Sequence, residues 1–222
     1  MSSYDPAEYG DSCARFYDQL YPNIESGLLD ALTGLARGGP VLELGLATGR
    51  VARRLNEADI TVYGIEASRS MIERCRSLPG ADGLRIVEAD FAAIPLAGRF
   101  RLVFALVNTL SLLPSRELLK SCLDGVAKLL GRDGLFLYET YMADHADAAV
   151  TYEYAIQTSD GVQNYRVTSL TTAPGIFDDI AVSAGLRRVD IWEDWQRTPV
   201  SADSKRRIMI YGSAMADSAL QT

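Results

Sequence analysis

The chain has 222 residues, 48% hydrophobic and 23% charged, which suits one α/β domain with decorations and excludes collagen, coiled coil and wholesale disorder. Twenty-two basic against 29 acidic side chains give a formal charge of −7, a field that opposes phosphate backbones and anionic lipid and argues against nucleic acid and membrane partners. The longest strongly apolar stretch, residues 102–113, is too short to span a bilayer. The first residues carry no basic n-region, so a cytoplasmic chain is expected. Cys13, Cys75 and Cys122 are widely spaced and form no C-x-x-C pair; they read as buried free thiols, with no metal expected.

In chain order, helices near 8–19 and 24–36 come first and are expected to lie over the strand C-termini as a helical cover, residues 1–38. Short apolar runs then alternate with helical periodicities, as in a parallel sheet covered by helices. The expected strands are Val41–Leu44, Thr61–Ile65, Leu84–Val87, Leu102–Val107 and Leu135–Tyr138, each buried on both faces. Residues 115–130 form the clearest amphipathic helix, with Ser115 as cap and Gly131 as terminator. After strand five, Val150, Tyr152, Tyr154 and Ile156 alternate with Thr151, Glu153, Ala155 and Gln157. Ser159-Asp160-Gly161 supplies a turn before 162–170, which predicts a β-hairpin insertion, residues 146–172, walling or lidding a site. A helix at 175–184 stopped by Gly185, and strands at 188–193 and 206–211, complete one domain over residues 1–222.

The segment Val41-Leu42-Glu43-Leu44-Gly45-Leu46-Ala47-Thr48-Gly49-Arg50 runs a buried strand into a tight glycine turn and a helix start. Glycine serves where backbone turns sharply against a ligand, and the helix N-terminus offers free amides to an anion. A dinucleotide fingerprint would place glycines at positions occupied here by Gly45, Ala47 and Arg50, and arginine at the last blocks close helix packing, so NAD and FAD are disfavoured. Glu43, an acid within an apolar run, needs a partner.

Read as Glu43, Gly45, Ala47 and Gly49, the segment resembles motif I of the class I S-adenosylmethionine-dependent methyltransferases, with Ala47 for the middle glycine. Glu66 after the second strand resembles the family's ribose-binding acid, Asp90 its adenine-binding acid with Phe91 against the ring, and Val107-Asn108 the stretch lining the methionine portion. Tyr17-Asp18-Gln19-Leu20-Tyr21 resembles the N-terminal Y-D-x-x-Y of macrolide amino-sugar and glycine N-methyltransferases. Trp195 with Ser201-Ala202-Asp203-Ser204 resembles secondary-metabolite methyltransferases of actinobacteria. The resemblance covers about 45–212.

It implies a doubly wound, seven-stranded Rossmann-like sheet and a cofactor site for S-adenosyl-L-methionine. That site comprises Tyr17, Tyr21, Glu43, Gly45, Leu46, Ala47, Gly49, Arg50, Glu66, Ala67, Met71, Asp90, Phe91, Val107 and Asn108. Arg50 reads either as a surface residue or as the partner of the methionine carboxylate. The expected reaction is methyl transfer to O or N of a small-molecule acceptor, in natural-product biosynthesis, by a monomer or homodimer. The alternatives are non-methylating chemistry on the same fold and a cofactor-binding regulatory partner. His145 and Tyr141 are the catalytic candidates. His145 reads either as an exposed loop residue or as a base, and Glu66 is expected at a strand end with limited burial. Trp192 and Trp195 read as core or rim.

Overall fold

The structure, a computed structural model, describes residues 4–142 and 149–214. Three short helices precede the sheet: α1 (Glu8–Cys13), α2 (Tyr17–Leu20) and α3 (Leu28–Ala36). The main alternation follows with β1 (Val41–Leu44), α4 (Arg50–Glu57), β2 (Val62–Glu66), α5 (Arg69–Arg76), β3 (Arg85–Glu88), β4 (Phe100–Ala105), α6 (Arg116–Leu129) and β5 (Leu130–Tyr141). Then come β6 (Ala149–Thr158), β7 (Gly161–Leu170), α7 (Pro174–Ser183), β8 (Leu186–Trp192) and β9 (Arg206–Ser213). Seven strands form one sheet in the order β3-β2-β1-β4-β5-β9-β8. The first five are parallel and β9 runs antiparallel between β5 and β8. The order reverses between β1 and β4, and such a switch point leaves a crevice beyond the strand C-termini.

Strand alternation divides the core between the two faces. Val103, Ala105, Phe136 and Tyr138 pack with α6 and α7 around Phe177 and Tyr211. Leu102, Phe104 and Leu137 pack on the other face with Leu32, Val51, Leu55 and Trp195. Trp192 and Trp195 are both core residues, and the three cysteines are buried and free. Local chemistry sets the helix starts and stops. Ser68 and Ser115 accept the Met71 and Leu118 amides as N-caps, Pro174 opens α7, and Gly185 (φ 82°) ends it.

Several expectations shift. The single helix at 8–19 is two, broken over residues 14–16, where Phe16 turns to pack against Tyr165 of β7 at 5.9 Å. The helix at 24–36 begins only at Leu28, because Gly27 (φ 85°) is its N-cap. Gly131 does not terminate α6: the chain passes at Leu130 (φ −69°, ψ 130°) directly into β5. Strand three is an edge strand, exposed at both ends rather than buried on both faces. Val107 has left strand four for the left-handed region (φ 48°). Strand five runs on to Tyr141 because β9 pairs with it as far as Tyr141↔Arg206.

The hairpin forms as expected, with Thr158 paired to Gly161 across a two-residue turn. β6 and β7 make a separate two-stranded sheet. Its tie to the body includes Tyr165 against Phe16 and Tyr9, and Ser169 hydroxyl to Ser111 hydroxyl at 2.8 Å.

Phe177, 1% exposed, stacks on Tyr138 at 5.0 Å and meets Tyr211 at 5.8 Å. Phe177→Ala is expected to cost about 3–5 kcal/mol through the cavity it leaves, read as a lowered midpoint in urea denaturation.

Candidate functional site

Beyond the C-termini of β1, β2, β4 and β5 two cavities meet. The larger, about 380 Å³, is bounded below by Glu43, Gly45, Leu46 and Arg50, on one side by Val107, Asn108 and Tyr141, and above by Tyr152, Tyr154 and Tyr165 of the hairpin. The smaller lies between α1 and the turn after β1, against Ala47, Glu66, Ala67, Met71 and Phe91. Both touch Tyr9, Tyr17, Gly45, Thr109 and Leu112, so they are two ends of one cleft. Tyr21 lines the larger end.

The turn from β1 to α4 puts alternate residues Gly45, Ala47 and Gly49 in the left-handed region, at φ 67°, 51° and 69°. A Cβ at Gly45 would stand 2.5 Å from Thr109 Cγ2, and one at Gly49 2.6 Å from Cys75 Sγ, so both positions require glycine for space as well as for φ. Ala47 carries its Cβ at a cost of about 1–2 kcal/mol, offset by the 2.7 Å hydrogen bond its amide donates to Glu66 Oε2. The Thr48 hydroxyl donates to Asp18 Oδ1 at 2.7 Å, and Arg74 holds Asp18 Oδ2 at 3.0 Å, which ties the Tyr17–Tyr21 segment to the turn.

Glu66 is buried, 8% exposed, which corrects the expectation of limited burial: its Oε1 also accepts the Ser68 amide at 2.9 Å. Burial raises its pKa and these amides pull it down. Backbone amides take part of the carboxylate's acceptor capacity, and the rest is open to ligand hydroxyls. Asp90 caps the 3-10 turn at Phe91–Ala93 through the Ala92 amide, and the Tyr4 hydroxyl donates to it at 3.2 Å. Asp90 and Gly49 support the cleft without lining either cavity. Arg50 donates to the Asn23 carbonyl at 2.7 Å, and its guanidinium keeps further donors for an anion. His145 lies outside the described residues.

Glu43 is 6% exposed and its Oε2 has no hydrogen-bond partner; burial pushes its pKa up to about 8, against the pull of Arg50. An ammonium beside it would restore the carboxylate, so the site fits a ligand that carries a cation there and hydroxyls at Glu66. Burial and the neighbouring Glu139 raise Tyr141 as well, so its hydroxyl stays protonated at neutral pH and donates rather than takes a proton.

Sequence reasoning missed Glu139, 2% exposed. Its Oε2 accepts the Val107 amide at 3.0 Å, and its Oε1 lies 3.5 Å from the Arg206 guanidinium. In the sequence Glu139 follows the apolar run Leu135–Tyr138 and reads as a strand end; its burial comes from bonds to another loop and another strand. It also missed Tyr4 and Tyr9, whose places at the cleft arise only from tertiary contacts.

A family profile described as a methyltransferase domain matches residues 41–134. An uncharacterized methyltransferase of Geobacillus sp. (strain WCH70) is 37% identical over 92 residues, 40% of this chain and 43% of that protein. The chain therefore matches less than half the length of that relative. The CcbJ methyltransferase from Streptomyces caelestis is 27% identical, with a TM-score of 0.83 over 95% of this chain and 100% of that one. The glycopeptide N-methyltransferase MtfA, solved with S-adenosyl-L-methionine, shares the fold at 19% identity, with a TM-score of 0.67 over 89% of this chain and 90% of that one.

The raised pKa of Glu43 sets a sign for stability. Its folded value of about 8 exceeds the ordinary 4.5, so the contribution is full below the unfolded value and is lost as pH rises through the folded one. In ligand-free protein the stability gap between Glu43→Gln and wild type should therefore widen in the variant's favour from about pH 5 to pH 8, by up to about 4 kcal/mol. Urea titrations across that range measure it.

Proposed function

We propose that the chain is a class I S-adenosylmethionine-dependent methyltransferase and that it methylates an oxygen or nitrogen atom of a small metabolite of the natural-product kind. The observation that carries this reading is the two-ended cleft. Its narrow end has the acid and glycine turn suited to an adenosine, and its wide end opens under a hairpin wall of tyrosines.

Bound S-adenosyl-L-methionine supplies an electrophilic methyl on a sulfonium. Glu66 would hold the ribose hydroxyls and Asp90 the adenine amine, with Phe91 and Met71 against the ring. Glu43 would pair with the ammonium and Arg50, with the amides at the start of α4, with the carboxylate. Tyr17 and Tyr21 would bound the methionine end, and Val107-Asn108 would close it from the side. The acceptor would lie among Tyr141, Tyr152, Tyr154 and Tyr165, with the Tyr141 hydroxyl as a donor that fixes its orientation. Displacement in line needs alignment and exclusion of water more than a base, and positioning can contribute about 7–11 kcal/mol in favourable cases.

Calorimetry is expected to give binding of S-adenosyl-L-methionine and S-adenosylhomocysteine and none of NAD; tighter NAD binding would sink the assignment. A small-molecule extract incubated with the protein and labelled cofactor should yield a labelled product one methylene heavier by mass spectrometry.

Glu66→Ala should weaken S-adenosylhomocysteine binding by about 1.5–3 kcal/mol, the range for hydrogen bonds to a charged group. Because Glu66 also holds Ala47, the melting temperature should fall too. Unchanged affinity in the folded variant would remove Glu66 from the site.

A further inference from the structure

At the end of β4 the chain makes a turn whose geometry it does not favour by itself. Val107 and Asn108 are consecutive non-glycine residues in the left-handed region, at φ 48° and 60°, and a β-branched residue there is an outlier that surrounding structure must hold. The holding groups come from the end of β5. Glu139 accepts the Val107 amide on its carboxylate at 3.0 Å and the Asn108 amide on its backbone carbonyl at 3.1 Å. Asn108 Oδ1 receives the Tyr141 amide at 2.7 Å and the Thr140 hydroxyl at 3.0 Å.

The other oxygen of Glu139 faces Arg206 of β9 at 3.5 Å. Arg206 is gripped in turn by both oxygens of Glu25, at 2.5 and 2.9 Å, and donates through Nε to the Glu193 carbonyl at 2.8 Å. Glu25 lies in the segment between α2 and α3. The path from helical cover to cleft is therefore Glu25, Arg206, Glu139, Val107, built of charged contacts whose side chains become drier toward the site: Glu25 is 46% exposed, Arg206 14% and Glu139 2%.

We propose that Glu139 is a positioning residue that couples the helical cover to the cofactor turn, by joining the Val107 amide to the Glu25–Arg206 ion pair. Resting on the cofactor reading given above, this assigns Glu139 no contact with the reacting atoms. Its carboxylate keeps Val107-Asn108 in the strained turn that lines the methionine end of the cleft. The ion pair with Glu25 orients Arg206 so that its guanidinium fixes that carboxylate. Loosening the cover at Glu25 then relaxes a turn that Glu25 never touches.

The test is a double-mutant cycle read by calorimetric titration of S-adenosylhomocysteine into wild type, E25Q, E139Q and the double variant, with thermal denaturation of each alongside. Each single substitution is expected to weaken binding about 5- to 20-fold, within the usual range for coupling between sites. The double variant should bind no more weakly than E139Q alone, because both substitutions cut one path. A purely structural role would lower melting temperatures and leave affinity in place. Affinity of E139Q within twofold of wild type, or single effects that multiply in the double variant, would overturn the proposal. Should E139Q fail to fold, E25Q decides by itself, since Glu25 is half exposed: affinity within twofold of wild type overturns the coupling. A wild-type chain that binds no S-adenosylhomocysteine overturns the cofactor reading together with this one.

Discussion

A residue bearing a Cβ stays in the left-handed region only when its surroundings make every other conformation worse, and at this sheet edge the surroundings are carboxylates. Ala47 donates its amide to Glu66, at the end of the neighbouring strand β2. Val107 donates its amide to Glu139, near the end of the neighbouring strand β5. One device thus shapes both sides of the cleft: a buried glutamate on the next strand accepts the amide of a strained residue in the turn. The arrangement is mutual, because a buried carboxylate without donors would be costly, and the strained turns supply the donors.

The same edge concentrates buried carboxyl groups. Glu43, Glu66 and Glu139 are all buried, and burial raises the pKa of each. They differ in what opposes it. Backbone amides serve Glu66, an amide and Arg206 serve Glu139, and Glu43 has an oxygen with no hydrogen-bond partner. A cationic ligand therefore finds the protein's electrostatic cost already placed where it relieves most of it. The lone unsatisfied acid is the one beside the helix start, where Arg50 is also at hand.

The β1 turn and the hairpin were legible because short-range rules govern them: glycine where φ is positive, strict alternation where one strand face is covered. The end of β5 was not. Glu139 and Thr140 are polar, so the apolar run reads as finished at Tyr138, yet both are buried because they bond residues of another loop. Val107, β-branched and following an apolar run, reads as strand; the same carboxylate takes it out of the strand. The break between α1 and α2 escaped for a related reason, since Phe16 turns to meet a hairpin far away in sequence. Sequence pattern located the elements whose hydrogen bonds are local and lost those whose bonds are made across the sheet edge. The candidate site divided likewise: the residues of the glycine turn were readable, and the groups that hold its opposite wall were not.

Among the described residues the hairpin pairs with itself and with no strand of the main sheet. Its inward residues Tyr152, Tyr154 and Tyr165 are therefore not ladder partners of anything the core depends on. Exchanging Tyr152 or Tyr154 alters the ceiling of the cleft while the seven-stranded ladder keeps its contacts, whereas Tyr165 also ties the hairpin to Phe16 and Tyr9. The ladder that sets the fold and the wall that shapes the cleft thus lie in different parts of the chain, and the wall can change its shape without the sheet having to re-solve how it folds.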